Sequence, residues 1–227
     1  AYEAYKAWAL SWRKAKYPRP LWFREVFNFR QKFLHRYDPL FDPATKSFKL
    51  EQAVAEADEH FGGLEYLHLF DWGSVPEVGR VYGRVGDFSP YEYLGGQENF
   101  RRAVAALRGK GVPVGLYIEG YLVAEKGRIG KERGKEWQIM QRNGELMYYQ
   151  PGSTEMMMCP WLDAWRKTQV ETYRQKVGEL GVDGMYMDQF GFANPQKDCW
   201  SPHHGHAVPG SNKKKKKELA DLIHRAI

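Results

Sequence analysis

The feature that most restricts the fold is a unit that recurs along the chain: a helix-like stretch, a glycine stop, then a short apolar run that closes on an acid. Leu50 to His60 (LEQAVAEADEH) spaces apolar residues by three and four and stops at Gly62-Gly63, which predicts a helix. Leu64 to Trp72 (LEYLHLFDW) reads as the strand that follows, with Asp71 near its end. Asn99 to Leu107 (NFRRAVAAL) predicts the next helix, closed by Gly109 and Gly111. Val112 to Ile118 (VPVGLYI) is the next strand, ending at Glu119. Trp161 to Leu180 is the clearest helix, with Gly181 as its stop. Val182 to Met187 (VDGMYM) is then a strand ending at Asp188. Helices that alternate with apolar strands indicate βα units on a parallel sheet.

A fourth unit is read at the start. A helix within residues 1–17 stops near Pro18 and Pro20, and the aromatic run Leu21 to Phe29 (LWFREVFNF) follows as a strand. Gly73 to Gly96 reads as a loop, Gly120 to Cys159 as a long polar segment and residues 189–217 as an irregular loop. Glu218 to Ile227 starts another helix. A complete (β/α)₈ barrel takes about 250 residues, and this chain has spent 227 on about four strands. The expected fold is α/β: the N-terminal part of a parallel (β/α) barrel of TIM type, read as one domain over 1–227. An open sheet of similar local design is the alternative. The remaining strands would come from the rest of a longer chain or from a partner. The start at Ala1, without a basic-then-apolar leader, reads as a processed chain or a piece of a longer one.

Composition narrows the partners. Aromatic residues reach 15%, with 8 Trp, 14 Tyr and 12 Phe, which suits ring-lined sugar clefts and large cores alike. The net charge of +6 is mostly one run, Lys213 to Lys217, which reads as a solvated loop or helix start. A nucleic-acid surface spreads its basic residues along a face, so no nucleic-acid partner is expected. No apolar run is long enough to span a bilayer, and no membrane partner is expected. The two cysteines, Cys159 and Cys199, fit no CxxC pattern and leave the compartment open.

In parallel architectures the chemistry gathers at the carboxyl ends of the strands. Asp71, Glu119 and Asp188 all stand there. Acids at strand ends also serve as helix caps, yet three at successive tips are less easily put down to capping. Asp71 beside Trp72 would suit a sugar, with a carboxylate for hydroxyls and a ring for stacking. Trp137 and Trp200 lie in loops on the same face and are the other stacking candidates. His203, His204 and His206 would bind hydroxyls or act as an acid near neutral pH. A zinc ion held with Cys199 and Asp198 can be imagined. Structural zinc sites draw paired ligands from two places, however, and this is one short cluster, so no metal is assigned. Gly127, Gly130 and Gly134 lack the strand and Lys-Ser/Thr of a phosphate loop, and no Gly-x-Ser-x-Gly elbow occurs. No cofactor is expected.

The segment Gly181 to Gly191 (GVDGMYMDQFG) resembles the fourth barrel strand of the retaining glycosidase superfamily around the α-galactosidases and α-glucosidases. Trp137, Asn143-Gly144, Met158-Cys159-Pro160 and Trp165-Arg166 are similar to the long loop and lead-in helix of those enzymes. Cys199 and the His203-to-His206 run resemble a Cys and His-Gly-His loop in the same relatives. The resemblance covers about Val112 to His206. It implies that Asp188 is the catalytic nucleophile, that Asp183 is structural and that the proton donor lies on a later strand. Asp71, Trp72, Glu119, Trp137, Cys159, Trp200, His203, His204 and His206 are then the expected contacts to a carbohydrate substrate. The expected function is a retaining glycoside hydrolase. The alternatives are a non-catalytic carbohydrate-binding relative and a metal-dependent hydrolase using the His203–His206 cluster.

Overall fold

The computed structural model describes residues 2–12, 16–35, 37, 39–73, 86–88, 94–189 and 198–227. Most of the loop read over Gly73 to Gly96, and Phe190 and Gly191 of the strand motif, lie outside them. Helices α1 (Tyr2–Trp12) and α2 (Leu21–Glu25) precede strand β1 (Phe29–Phe33). A small hairpin of β2 (Phe41–Asp42) and β3 (Ser47–Phe48) leads into α3 (Leu50–Phe61). Strand β4 (Tyr66–Phe70), helix α4 (Gly96–Gly109) and strand β5 (Val114–Glu119) come next. After β5 the chain makes β6 (Leu122–Ala124), a π-helical turn at Gly130–Gly134, the short α5 (Lys135–Trp137) and β7 (Glu155–Met157). Helix α6 (Asp163–Leu180), strand β8 (Gly184–Asp188) and helix α7 (Asn212–Ala226) complete the described elements.

The main sheet has the order β1-β4-β5-β8, and each neighbouring pair is parallel. Strands β1, β4 and β5 each pair with the strand of the next βα unit. A doubly wound sheet reverses direction at a switch point; this one does not, and steady progression is the winding of a barrel. Gly62 and Gly181 end α3 and α6 in the left-handed conformation, at φ 75° and 65°.

Three parts differ from the sequence expectation. Leu21 to Glu25 is a turn of helix, not strand, because Pro20 presets the backbone and its carbonyl accepts the Arg24 N–H at 3.2 Å. The first strand starts only at Phe29. The long segment after Glu119 is no polar loop: β6 and β7 pair antiparallel, and all their residues are buried. Helix α7 starts at Asn212 and takes in the lysine run, because Lys216, Leu219 and Ile223 form one buried face at helical spacing.

The two faces of the sheet are chemically distinct. Leu67, Leu69, Val114, Leu116 and Ile118 are fully buried in the main core. Phe100, Val104 and Leu107 of α4 and Tyr173 and Leu180 of α6 belong to the same cluster. Each such aliphatic side chain contributes about 1.5–3 kcal/mol by leaving water. Residues of opposite parity build an aromatic face. Phe33 and Phe70 lie 5.1 Å apart by ring centroids, Phe70 and Tyr117 4.7 Å, and Tyr117 and Tyr186 6.1 Å, so one row of rings crosses all four strands. Tyr186 at its end is 48% exposed.

Two glycines test this packing. At Gly130 an added Cβ would fall 2.1 Å from the backbone oxygen of Ala124, whereas at Gly178, inside α6, it would meet nothing within 4 Å. Gly130→Ala is expected to destabilise the chain by about 1–3 kcal/mol, and Gly178→Ala to stabilise it by up to about 1 kcal/mol. Urea unfolding of both variants checks the two signs.

Candidate active site

Parallel pairing places Glu119 directly beside Asp188, the last residues of β5 and β8. Side chains two apart on a strand share a face, so Tyr117 lies below Glu119 and Tyr186 below Asp188. The Tyr117 hydroxyl oxygen stands 3.0 Å from Glu119 Oε2 and 2.9 Å from Asp188 Oδ2. Asp188 Oδ1 accepts the Gln189 backbone N–H at 2.9 Å, and the Tyr186 hydroxyl approaches it at 3.5 Å. Gln189 itself takes a left-handed φ of 54°, which turns the chain sharply off the strand tip.

The two acids live in different surroundings. Glu119 is 1% exposed, and Asp188 is only half-buried. Burial first, and the Asp188 charge second, push the Glu119 carboxyl up to about 8, against the hydrogen bonds that Tyr117 and the Gly120 N–H, at 3.0 Å, would give its charged form. Glu119 is therefore neutral at pH 7. A phenol has one proton and cannot donate to two carboxylates at once. A protonated Glu119 resolves the conflict: its own proton meets the Tyr117 oxygen, and the phenol proton goes to Asp188.

A third group comes from the lysine run. Lys216 is 4% exposed; its ammonium donates to the Gln189 carbonyl at 3.0 Å and sits 3.5 Å from the centre of the Tyr121 ring. The Tyr121 hydroxyl in turn donates to Gln189 Oε1 at 3.1 Å. Burial brings Lys216 down to about 7. The expectation of a uniformly solvated run fails at this residue.

Other residues picked from the sequence are placed elsewhere. Asp71 is buried, and its carboxylate accepts the backbone N–H groups of Leu34 at 2.6 Å and His35 at 3.2 Å, tying the ends of β1 and β4 together. Trp72 is 1% exposed, stacks between Phe88 and Phe100 and donates its indole N–H to the Tyr117 carbonyl at 2.7 Å, so it offers no free ring. Trp137 packs against Trp165 in a second buried cluster. Trp200 is partly exposed with Arg142 5.3 Å from its ring, and His203 is exposed. Cys159, Cys199, His204 and His206 converge in a separate cluster. Asp183 lies at the other end of β8, where it accepts the Val114 N–H at 3.0 Å and pairs with Arg108 at 2.9 Å. A hollow of about 1020 Å³ opens between Gly86–Phe88, Lys126–Ile129 and α6, and neither Glu119 nor Asp188 lines it.

The family described as Domain of unknown function (DUF6259) matches residues 1–225. The chain belongs to this DUF6259 family. A protein of Bacteroides thetaiotaomicron named "Putative glycoside hydrolase" is 24% identical over 215 residues, which is 91% of this chain and 31% of that protein. The Monosiga brevicollis protein named "Putative glycoside hydrolase 22789" is 26% identical over 164 residues, 67% of this chain and 14% of that protein. This DUF6259 chain thus spans less than a third of the length of the curated relatives it matches. Among solved structures, the alpha-galactosidase of Thermus thermophilus in complex with p-nitrophenyl alpha-D-galactopyranoside matches with a TM-score of 0.59 at 13% identity, over 88% of this chain and 36% of that one. The alpha-N-acetylgalactosaminidase NagBb of Bifidobacterium bifidum, ligand free, matches with a TM-score of 0.60 at 17% identity, over 88% and 34%. The DUF6259 fold seen here is accordingly part of a TIM-type barrel.

The neutrality of Glu119 has a pH consequence. Between about 4.5, the ordinary value, and about 8, the folded chain keeps a proton that the unfolded chain has lost, so Glu119 lowers stability as pH rises through that window. Glu119→Gln keeps the donor toward Tyr117 and cannot ionise. Its melting temperature relative to the parent is expected to climb steadily from pH 5 to pH 8. A difference independent of pH would contradict a neutral, buried Glu119.

Proposed function

We propose that this DUF6259 protein is a glycoside hydrolase that cleaves with retention of configuration, with Asp188 as its nucleophile. The observation that carries the reading is the seat of Asp188. It ends the fourth parallel strand, keeps part of its surface exposed and has each carboxylate oxygen held, one by the Gln189 N–H and one by the Tyr117 hydroxyl. A carboxylate fixed at a strand tip can meet positive charge developing at an anomeric carbon and then bond to it. In that step the C–O bond to the leaving group breaks and an Asp188 oxygen bonds to the sugar. The leaving oxygen takes a proton from a second carboxyl group, for which we look to a later strand of the whole protein. The second carboxyl group, now deprotonated, takes a proton from a water that attacks the anomeric carbon on the face the leaving group vacated, opposite the Asp188 bond. Asp188 leaves, and the second inversion restores the configuration.

In this proposal Glu119 does not touch substrate. It is a positioning residue that keeps the phenol of Tyr117 donating to Asp188. Trp200 and His203 are the sequence-derived contacts whose surface stays available to a sugar. The names of the two relatives support a carbohydrate substrate, and the names of the structural neighbours make α-galactosides and α-N-acetylgalactosaminides the first probes to try.

In the full-length protein, Asp188→Gly is expected to lower kcat on an aryl glycoside substrate by more than about 1,000-fold. Azide should restore turnover by entering the vacated space, and the glycosyl azide formed should have the inverted anomeric configuration. Chromatography and proton NMR of the product check this. Undiminished activity in Asp188→Gly, or an unchanged anomeric configuration in the azide product, would overturn the assignment.

A further inference from the structure

The strongest unassigned constellation lies away from the acid pair. Cys159, just past β7, meets three residues of the 198–210 loop: Cys199, His204 and His206. Their ligand atoms all lie within 4.8 Å of one another, with Cys199 Sγ 3.3 Å from His204 Nδ1 and Cys159 Sγ 3.6 Å from His206 Nε2. A tetrahedral zinc bound at about 2.3 Å by sulfur and about 2.0–2.1 Å by nitrogen separates its ligand atoms by about 3.5 Å. Both cysteines are fully buried and unbridged.

The ring nitrogens are already sorted for such an ion. His204 donates its Nε2–H to the Glu136 carbonyl at 3.0 Å, which leaves Nδ1 as a lone pair facing Cys199. His206 donates its Nδ1–H to the Ala207 carbonyl at 2.8 Å, which leaves Nε2 as a lone pair facing Cys159. Metal-bound imidazoles characteristically anchor the opposite nitrogen on a carbonyl or carboxylate in this way. The backbone makes room for the cluster as well. Cys199 and Gly210 exchange two hydrogen bonds, of 3.0 and 2.8 Å, and a Cβ on Gly210 would fall 2.5 Å from the His206 ring.

We propose that Cys159, Cys199, His204 and His206 form a structural zinc site. Two thiolates and two imidazoles in tetrahedral reach suit zinc above the harder divalent ions. Four protein ligands close the coordination sphere and leave no position for water or substrate, so the ion stabilises the fold and takes no part in hydrolysis. It clamps the 198–210 loop to the end of β7 and to the Glu136 carbonyl in α5. Because α7 begins at Asn212, just beyond that loop, the same clamp sets where α7 starts and so where Lys216 stands beside Gln189. The sequence cluster looks too short for zinc because its fourth ligand, Cys159, sits 40 positions before Cys199. Asp198 and His203, adjacent in sequence, are exposed and outside the cluster.

The full-length protein, carrying no histidine tag and purified without chelator, would be analysed for metal by plasma mass spectrometry. Zinc should be present, and it should fall by one ion per chain in Cys159→Ser and in Cys199→Ser. His203→Ala should keep the full content. Should the serine variants fail to fold, cobalt exchanged into the parent protein gives a second reading. A tetrahedral visible spectrum with a thiolate charge-transfer band supports the site. A parent protein free of zinc, a Cys159–Cys199 disulfide, zinc retained in the two serine variants, or cobalt without thiolate bonding would each overturn it.

Discussion

One phenol proton between two carboxyl groups organises this end of the sheet. Tyr117 touches both Glu119 and Asp188, and it can satisfy both only if one of them is protonated. Burial selects Glu119 for that state, since desolvation penalises the charged form and Glu119 is far more buried than Asp188. Two carboxylic acids at neighbouring strand tips thus acquire opposite tasks. The arrangement depends on the parallel register that sets Tyr117 opposite Tyr186 and Glu119 opposite Asp188. A slip of one residue would turn each of these side chains to the helix-covered face.

Much of this frame is legible in the sequence, for identifiable reasons. The three later βα units follow from glycine stops and helical spacing, and α3, α6 and β8 end or start within a few residues of the expected places. The acids at the tips of β5 and β8 were visible too. The two tyrosines beneath them also carry a signal: Tyr117-x-Glu119 and Tyr186-x-Asp188 share the period of two that aligns side chains on a strand face. In the sequence Trp72 and Trp137 read as stacking rings, because one sits at a strand tip and the other in a loop on the same face. Tertiary packing decided otherwise, and both rings fill the core. The ordered β6–β7 region is hidden because its three-residue strands are too short to show periodicity and pair across more than thirty residues.

Residues distant in sequence support this end of the sheet. Lys216 looks like one of five solvated charges, yet the helical face shared with Leu219 and Ile223 carries it inward to Gln189, the residue whose N–H holds Asp188. The cysteine and histidine cluster lies at the root of that same helix. The acid pair, the buried lysine and the proposed metal site are therefore linked through the backbone from Cys199 to Lys216. The chemistry assigned to Asp188 stands without the metal, because neither oxygen of its carboxylate is held by a residue of the cluster.

The central claim is that Asp188 becomes covalently bound to the sugar. The most direct measurement is mass spectrometry of the full-length protein after inactivation with a 2-deoxy-2-fluoro glycosyl fluoride, followed by peptide mapping. The account predicts one added fluorosugar on the peptide containing Asp188, released again when the inactivated protein is left to turn over. A label on any other carboxylate, or hydrolysis that inverts the anomeric centre with no labelled intermediate, would contradict it.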